Sequence, residues 1–108
     1  MTDVKNVDVS SLADDAVVID VRSREEWDQG HAPNAVFTPI EDLPTALGNV
    51  PVGQTVPVIC RSGGRSTRAV EWLNQQGLET VNVDGGMQAW DAAGKAMVSE
   101  NGEDPRVG

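Results

Sequence analysis

Short apolar runs recur along the chain, and polar or mixed segments separate them. Three of these runs, residues 16–21, 56–59 and 80–83, are rich in Val or β-branched residues and almost free of charge. Such runs are typical of strands that are buried on both faces of a parallel sheet. A shorter strand is predicted at residues 36–38, and a weakly alternating edge strand at residues 4–9.

The segments between the runs predict the helices that must cover such a sheet. Residues 66–76 place apolar side chains at helical spacing, and a later helix should carry Met87 and Trp90 as core residues. Ser23 and Glu26 have the spacing of a capping box, which predicts the start of a short helix. Strands that alternate with helices indicate βαβ units. We therefore predict an α/β fold, a single domain whose mainly parallel β-sheet carries helices on both faces.

Length and charge limit the classes of partner that this domain can bind. The chain has 108 residues, of which 39% are hydrophobic, enough for one core and too few for two. A formal net charge of -9 argues against binding to nucleic acid, which is a polyanion. No apolar run approaches the roughly eighteen residues of a membrane span, and no signal-peptide core precedes residue 10. We expect a cytoplasmic protein that binds neither nucleic acid nor membrane.

The chain becomes polar after residue 98. Residues 99–108 contain acidic residues, Gly and Pro, and such a composition buries too little apolar surface to order a segment. We therefore assign the domain to residues 1–98 and predict a polar, flexible C-terminal tail over residues 99–108.

Candidate chemistry is concentrated in the stretch that joins the predicted strand 56–59 to the following helix. This stretch consists of Cys60, Arg61, Ser62, Gly63, Gly64, Arg65 and Ser66. Its two glycines allow a tight curl with converging N–H groups, and the helix directs its positive dipole end to the same place. A thiol in such a setting should have a lowered pKa and react as a thiolate. We predict that Cys60 is catalytic and that the six residues after it form an anion-binding loop; the alternative is an inert, buried cysteine.

Other motifs accompany this loop in a defined order. The chain contains Asp20, Val21 and Arg22 after an apolar run, then Glu26 and Trp27, then Gly-His-Ala-Pro-Asn-Ala at residues 30–35, and Asp-Gly-Gly-Met-Gln-Ala-Trp at residues 84–90. Together with the cysteine loop, and over residues 7–96, these motifs resemble those of the rhodanese family, the single-domain sulfurtransferases. The resemblance implies a rhodanese-like domain that transfers sulfane sulfur through a persulfide on the loop cysteine.

The resemblance also implies the partners of the reaction. A small anionic sulfur donor such as thiosulfate would supply the sulfur, and cyanide, a thiol or a protein acceptor would receive it. The single cysteine and single histidine exclude an internal disulfide and a zinc-type ligand set, so we expect no metal and no cofactor. Asp20 and Arg22 should lie at the same sheet edge as the loop, where they either support it or form a structural ion pair. His31 is expected to be structural rather than a general base.

Two other classes of function remain open at this point. Tyrosine-phosphatase-like enzymes and arsenate reductases also use a Cys-to-Arg anion loop, but with one more residue between the two. Here Cys60 and Arg65 enclose four residues, which gives a smaller cradle that suits a sulfur atom better than a phosphate. The third possibility is a module that relays sulfur to a protein or only binds one.

Overall fold

A computed structural model describes residues 4–108 of the chain. Its five strands form one sheet in the order β1-β5-β4-β2-β3, and all four pairings between them are parallel. The strands are β1 (Asn6–Val7), β2 (Ile19–Asp20), β3 (Val36–Phe37), β4 (Val56–Ile59) and β5 (Thr80–Val83). The predicted α/β fold with a parallel sheet is therefore confirmed.

Within residues 4–108, three α-helices and three short 3₁₀ segments accompany the strands, and all but the last helix lie between strands. The α-helices are α1 (Arg24–Gln29), α2 (Gly64–Gln75) and α3 (Gly86–Ala92), and the 3₁₀ segments are Val9–Ser11, Ile40–Thr45 and Leu47–Asn49. The capping box at α1 forms as predicted, with the Ser23 hydroxyl accepting from the Glu26 N–H and the Glu26 carboxylate accepting from the Ser23 N–H. Within residues 4–108 no helix is long and apolar enough to cross a membrane.

The central strand β4 sends alternate side chains to the two faces of the sheet. Val58 and Cys60 belong to a buried cluster with α2, whereas Ile59 belongs to a second buried cluster with Met87 and Trp90 of α3. Helices thus cover both faces, and the candidate cysteine lies on the α2 side.

The strand predicted at residues 16–21 is shorter in the structure. Val17 is 48% exposed, so the apolar run extends beyond the covered part of the sheet. The Val18 carbonyl accepts from the Val36 N–H, and the Val21 N–H donates to the Ile59 carbonyl, so the ladder continues only slightly beyond β2. The length of the apolar run therefore overestimates the length of β2, because the neighbouring strand on one side, β3, is short.

Candidate active site

The loop that begins at Cys60 lies at the carboxyl end of the parallel sheet. Asp20 of β2 pairs with Ile59 of β4, so the ends of these two neighbouring strands meet beside the loop. The turn into α2 requires glycine at Gly63, whose φ is 120°. A side chain at Gly64 would meet nothing within 4 Å, so only the first of the two glycines is needed for the curl.

Hydrogen-bond donors surround the sulfur of Cys60. The Gly63 N–H lies 3.0 Å from Sγ, and the Ser66 hydroxyl oxygen lies 3.2 Å from it. Burial raises the pKa of the Cys60 thiol, but the Ser66 hydroxyl and the N–H groups of Ser66, Gly63 and Ser62 outweigh this effect and lower the pKa below its ordinary value. The loop therefore favours the thiolate mainly through hydrogen bonds.

Arg65 is directed toward α1 rather than toward an open anion site. Its Nη1 and Nη2 atoms donate to the two carboxylate oxygens of Glu26 over 2.6 and 2.8 Å. The Arg65 hydrogen bonds lower the pKa of Glu26 to about 2 and raise that of Arg65. This two-point ion pair ties the first turn of α2 to the capping box of α1, and so holds the loop in place.

Arg61 is the exposed cation of the loop. Its Nε donates to the carbonyl oxygen of Gly108, the last residue of the chain. The segment that leads to Gly108 is held against α1, because the Arg106 N–H donates to the Gln29 carbonyl over 3.0 Å. At Gly30 an added Cβ would lie 2.6 Å from the Arg106 carbonyl oxygen. Residues of the segment 99–108 thus contact the loop in this structure, and the flexibility of that segment stays a prediction.

Asp20 and Arg22 form an ion pair with fully buried side chains. The Arg22 Nε and Nη2 atoms donate to the Asp20 carboxylate over 2.8 to 3.2 Å, and Nη2 also donates to the carbonyl oxygen of Gly30 over 2.8 Å. The pair joins the end of β2 to the end of α1. Its hydrogen bonds act on the end of the helix that carries Glu26, and the pairing of Asp20 with Ile59 places the same ion pair beside the strand that leads into the cysteine loop.

His31 is buried away from the loop's hydrogen bonds. Its ring stacks on Trp27 with centroids 3.5 Å apart, Nδ1 lies 2.8 Å from the Ala32 carbonyl oxygen, and Nε2 lies 2.8 Å from a Glu100 carboxylate oxygen. Both partners are hydrogen-bond acceptors, and the tautomer of the ring decides which nitrogen donates to its partner. These contacts give His31 a structural part in joining α1 to the segment after Val98.

Two features near Cys60 were not predicted from the sequence. The N–H groups of Met87 and Gln88 donate to the carbonyl oxygens of Cys60 and Arg61 over 2.8 and 3.0 Å, so the start of α3 holds the loop from behind. Asn82 of β5 accepts a hydrogen bond from the Ser66 hydroxyl. Two features of the sequence could have indicated these contacts: the paired glycines at the start of α3, and the Asn within the β-branched strand β5.

The described part of the chain offers no cluster of metal ligands. No group of three or more His, Cys, Asp or Glu side chains within residues 4–108 is placed to hold an ion. The chemistry that this site can perform with its own residues is that of a buried thiolate at the carboxyl edge of the sheet, next to anion-stabilising donors.

Comparison with known proteins gives a family for this arrangement. The family described as "Rhodanese-like domain" matches residues 6–93. A sulfurtransferase of Allochromatium vinosum is 34% identical over 106 residues, which cover 92% of this chain and 99% of that protein. The protein YtwF of Bacillus subtilis is 41% identical over 78 residues, covering 72% of this chain and 76% of its own.

A solved structure shows the same fold. The rhodanese-related protein of Thermoplasma volcanium superimposes with a TM-score of 0.79 at 33% identity, covering 87% of this chain and 97% of its own. The family match extends over most of the chain and includes the cysteine loop, α1 and the start of α3. On these grounds the chain belongs to the family of rhodanese-like domains.

Proposed function

We propose that the protein is a sulfurtransferase that moves sulfane sulfur from a donor such as thiosulfate to cyanide or a thiol acceptor. The observation that carries the proposal is the position of Cys60 Sγ, 3.0 Å from the Gly63 N–H and 3.2 Å from the Ser66 hydroxyl, at the end of β4. A sulfur atom so placed is favoured as a thiolate, because the neighbouring hydrogen-bond donors stabilise the anion. The sulfurtransferase of Allochromatium vinosum supports the same reaction class.

The first half of the reaction forms a persulfide on Cys60. The thiolate attacks the outer, sulfane sulfur of thiosulfate, and a new S–S bond forms. The S–S bond of the donor breaks, and sulfite leaves with the bonding electron pair. In this proposal the guanidinium of Arg61, which is exposed at the loop, attracts the incoming dianion.

The second half returns the thiolate. Cyanide attacks the terminal sulfur of the persulfide, the S–S bond to Cys60 breaks, and thiocyanate leaves while the electron pair stays on Sγ. A thiol acceptor, free or on a partner protein, would attack the same sulfur as its thiolate. The inward N–H groups of the loop stabilise the anionic persulfide between the two halves, in the manner of an oxyanion hole.

The remaining loop residues have supporting parts in this proposal. Arg65 anchors the loop through Glu26, and the Asp20 and Arg22 pair supports α1 from below. Because a reactive free thiol is kept reduced in the cytoplasm, we place the activity in that compartment.

The test is the formation of thiocyanate from thiosulfate and cyanide by the wild type and by Cys60→Ser. We expect turnover in the wild type with double-displacement kinetics, and none in the variant. An aryl phosphate assayed in parallel should not be hydrolysed, because the loop lacks the extra residue that a phosphate cradle requires. Aryl phosphate hydrolysis that depends on Cys60, in the absence of thiocyanate formation, would replace this proposal with the phosphatase alternative.

A further inference from the structure

A chain of side-chain hydrogen bonds runs from Cys60 through the sheet to its edge. The Ser66 hydroxyl, 3.2 Å from Cys60 Sγ, donates to Asn82 Oδ1, and Asn82 Nδ2 donates to Asn6 Oδ1 over 2.8 Å. Ser66 and Asn82 are buried, whereas Asn6 is exposed on the edge strand β1. Two amides thus connect the hydroxyl beside the sulfur to bulk water.

The position of Asn82 is unusual for an amide. All four residues of β5 are buried, and burial of an amide without partners is costly, so its hydrogen bonds must matter to the fold or to the site. Asn6 and Asn82 are direct register partners in the parallel β1 and β5 pair. A Cβ added at Gly63 would lie 3.8 Å from Asn82 Nδ2, which places the amide under the cysteine loop.

The number of available protons makes this series of hydrogen bonds sensitive to the ionisation of Cys60. Ser66 has a single hydroxyl proton, and of its two protein acceptors Asn82 Oδ1 lies closer than the Gly63 carbonyl oxygen, which is 3.3 Å away. In this arrangement only the thiol of Cys60 can supply the proton between sulfur and Ser66. Once that proton leaves to water, the thiolate and the hydroxyl oxygen face each other as two acceptors with no proton between them. The hydrogen bond is restored only when the hydroxyl turns toward sulfur.

We propose that Asn82 and Asn6 are positioning residues that redirect the Ser66 hydroxyl toward the thiolate or persulfide of Cys60. When the Asn82 amide turns over, its Nδ2 donates to the Ser66 oxygen, and the hydroxyl proton becomes free to donate to sulfur. Asn82 Oδ1 then faces Asn6, whose exposed amide turns in water and donates from its own Nδ2. The inference rests on the proposed function only in taking an anionic sulfur as the working form.

The direction of the hydroxyl affects the stability of the anion. Among the groups that lower the pKa of the thiol, the Ser66 side chain is the largest contributor. A donor to an anion contributes more than a donor to a neutral group, so removal of this hydrogen bond should change thiolate reactivity about tenfold. That change is measurable without any sulfur donor.

The test uses Asn6→Asp, with Asn6→Ala as its matched control. The carboxylate can only accept, so it fixes Asn82 with Nδ2 outward and Oδ1 toward Ser66, and the hydroxyl cannot serve the thiolate. We expect the rate of Cys60 alkylation by iodoacetamide at neutral pH to fall about tenfold in Asn6→Asp, with a raised thiol pKa in the pH profile. Asn6→Ala leaves the amide free to turn and should change the rate less than about twofold.

The same two substitutions in a Ser66→Ala background separate this relay, the hydrogen bonds that lead from Asn6 through Asn82 to Ser66, from simple repulsion between the new carboxylate and the thiolate. If Asn6 acts through Ser66, Asn6→Asp should have no further effect once the hydroxyl is absent. An equal fall in both backgrounds, an equal fall in Asn6→Ala, or no fall at all would overturn the inference. Because alkylation needs no sulfur donor, failure of the wild type to form a persulfide would count against the proposed function and not against the relay.

Discussion

The N–H of Met87 donates a hydrogen bond to the carbonyl oxygen of Cys60 over 2.8 Å. The first turn of α3 therefore holds the backbone at the start of the cysteine loop. Gly86 makes this approach possible, since a Cβ there would lie 2.4 Å from the same carbonyl oxygen and 2.7 Å from the carbonyl carbon of Arg61. A backbone contact at such a distance cannot be relieved by a side-chain rotation, so the loop itself would have to move.

Gly86→Ala should therefore lose both stability and sulfur transfer. The residue has φ of 56°, so alanine adds backbone strain of about 1 to 2 kcal/mol and the clash adds about 1 to 3 kcal/mol. We expect a fall of about 2 to 5 kcal/mol in the free energy of unfolding, measured by urea denaturation, and a lower kcat for thiocyanate formation.

Gly94→Ala is the matched control for that substitution. Gly94 also has positive φ, 69°, but a Cβ there would meet nothing within 4 Å. It should show the strain alone and keep its kcat. Equal losses of activity in the two variants would contradict the claim that α3 positions the loop by close contact.

Glu26→Gln removes the charge that pairs with Arg65. The Glu26 side chain is 21% exposed, so solvent screening reduces the contribution of the pair to about 1 to 2 kcal/mol of folding free energy. We expect that loss in urea denaturation at neutral pH, together with a several-fold fall in kcat because the loop loses its anchor on α1.

The stability difference between wild type and Glu26→Gln should depend on pH in a defined direction. Folding lowers the pKa of Glu26 from an ordinary value of 4.5 to about 2, so the folded state favours the ionised carboxylate. The stabilisation is fully present above the unfolded pKa and is lost as the pH falls through the folded pKa. The two unfolding curves should converge between pH 4.5 and about 2, and a constant difference across that range would rule out the ion pair as its source.

Arg61→Ala should raise the KM for thiosulfate about tenfold and change kcat little, because in the proposed reaction the exposed guanidinium attracts the donor and does not act on the reacting sulfur. Added salt should reduce the difference by screening. Arg24→Ala is the control of equal charge, since Arg24 is exposed on α1 and pairs with Asp28 over 3.2 Å. If both variants raise KM equally, the net charge of the protein and not Arg61 governs donor binding.

Local patterns were sufficient to predict the elements and the loop. The capping box of Ser23 and Glu26, the strand β4 and the helix α2 each depend on residues close in sequence, and each was visible there. The lowered pKa of Cys60 also has mainly local causes, since its donors lie within six residues of it. Apolar runs were less reliable for strand length, as β2 shows.

The contacts that support the loop depend on strand order and helix packing, which the sequence pattern does not reveal. Arg65, predicted as part of the anion-binding loop, forms an ion pair with Glu26, which lies 39 residues earlier in the chain, and its part in binding an anion stays a prediction. Asn6 and Asn82 become partners only because the first strand pairs with the last. Such pairings could not be inferred from spacing along the chain.

The most direct test of the account is the intact mass of the protein after incubation with thiosulfate. Cys60 is the only cysteine in the sequence, so a sulfur atom bound to a thiol of this protein must be bound to Cys60. We predict that thiosulfate adds the mass of a single sulfur, that cyanide removes it with release of thiocyanate, and that Cys60→Ser shows neither change. An unchanged mass of the wild type under excess thiosulfate, or an equal gain in Cys60→Ser, would contradict a persulfide on Cys60.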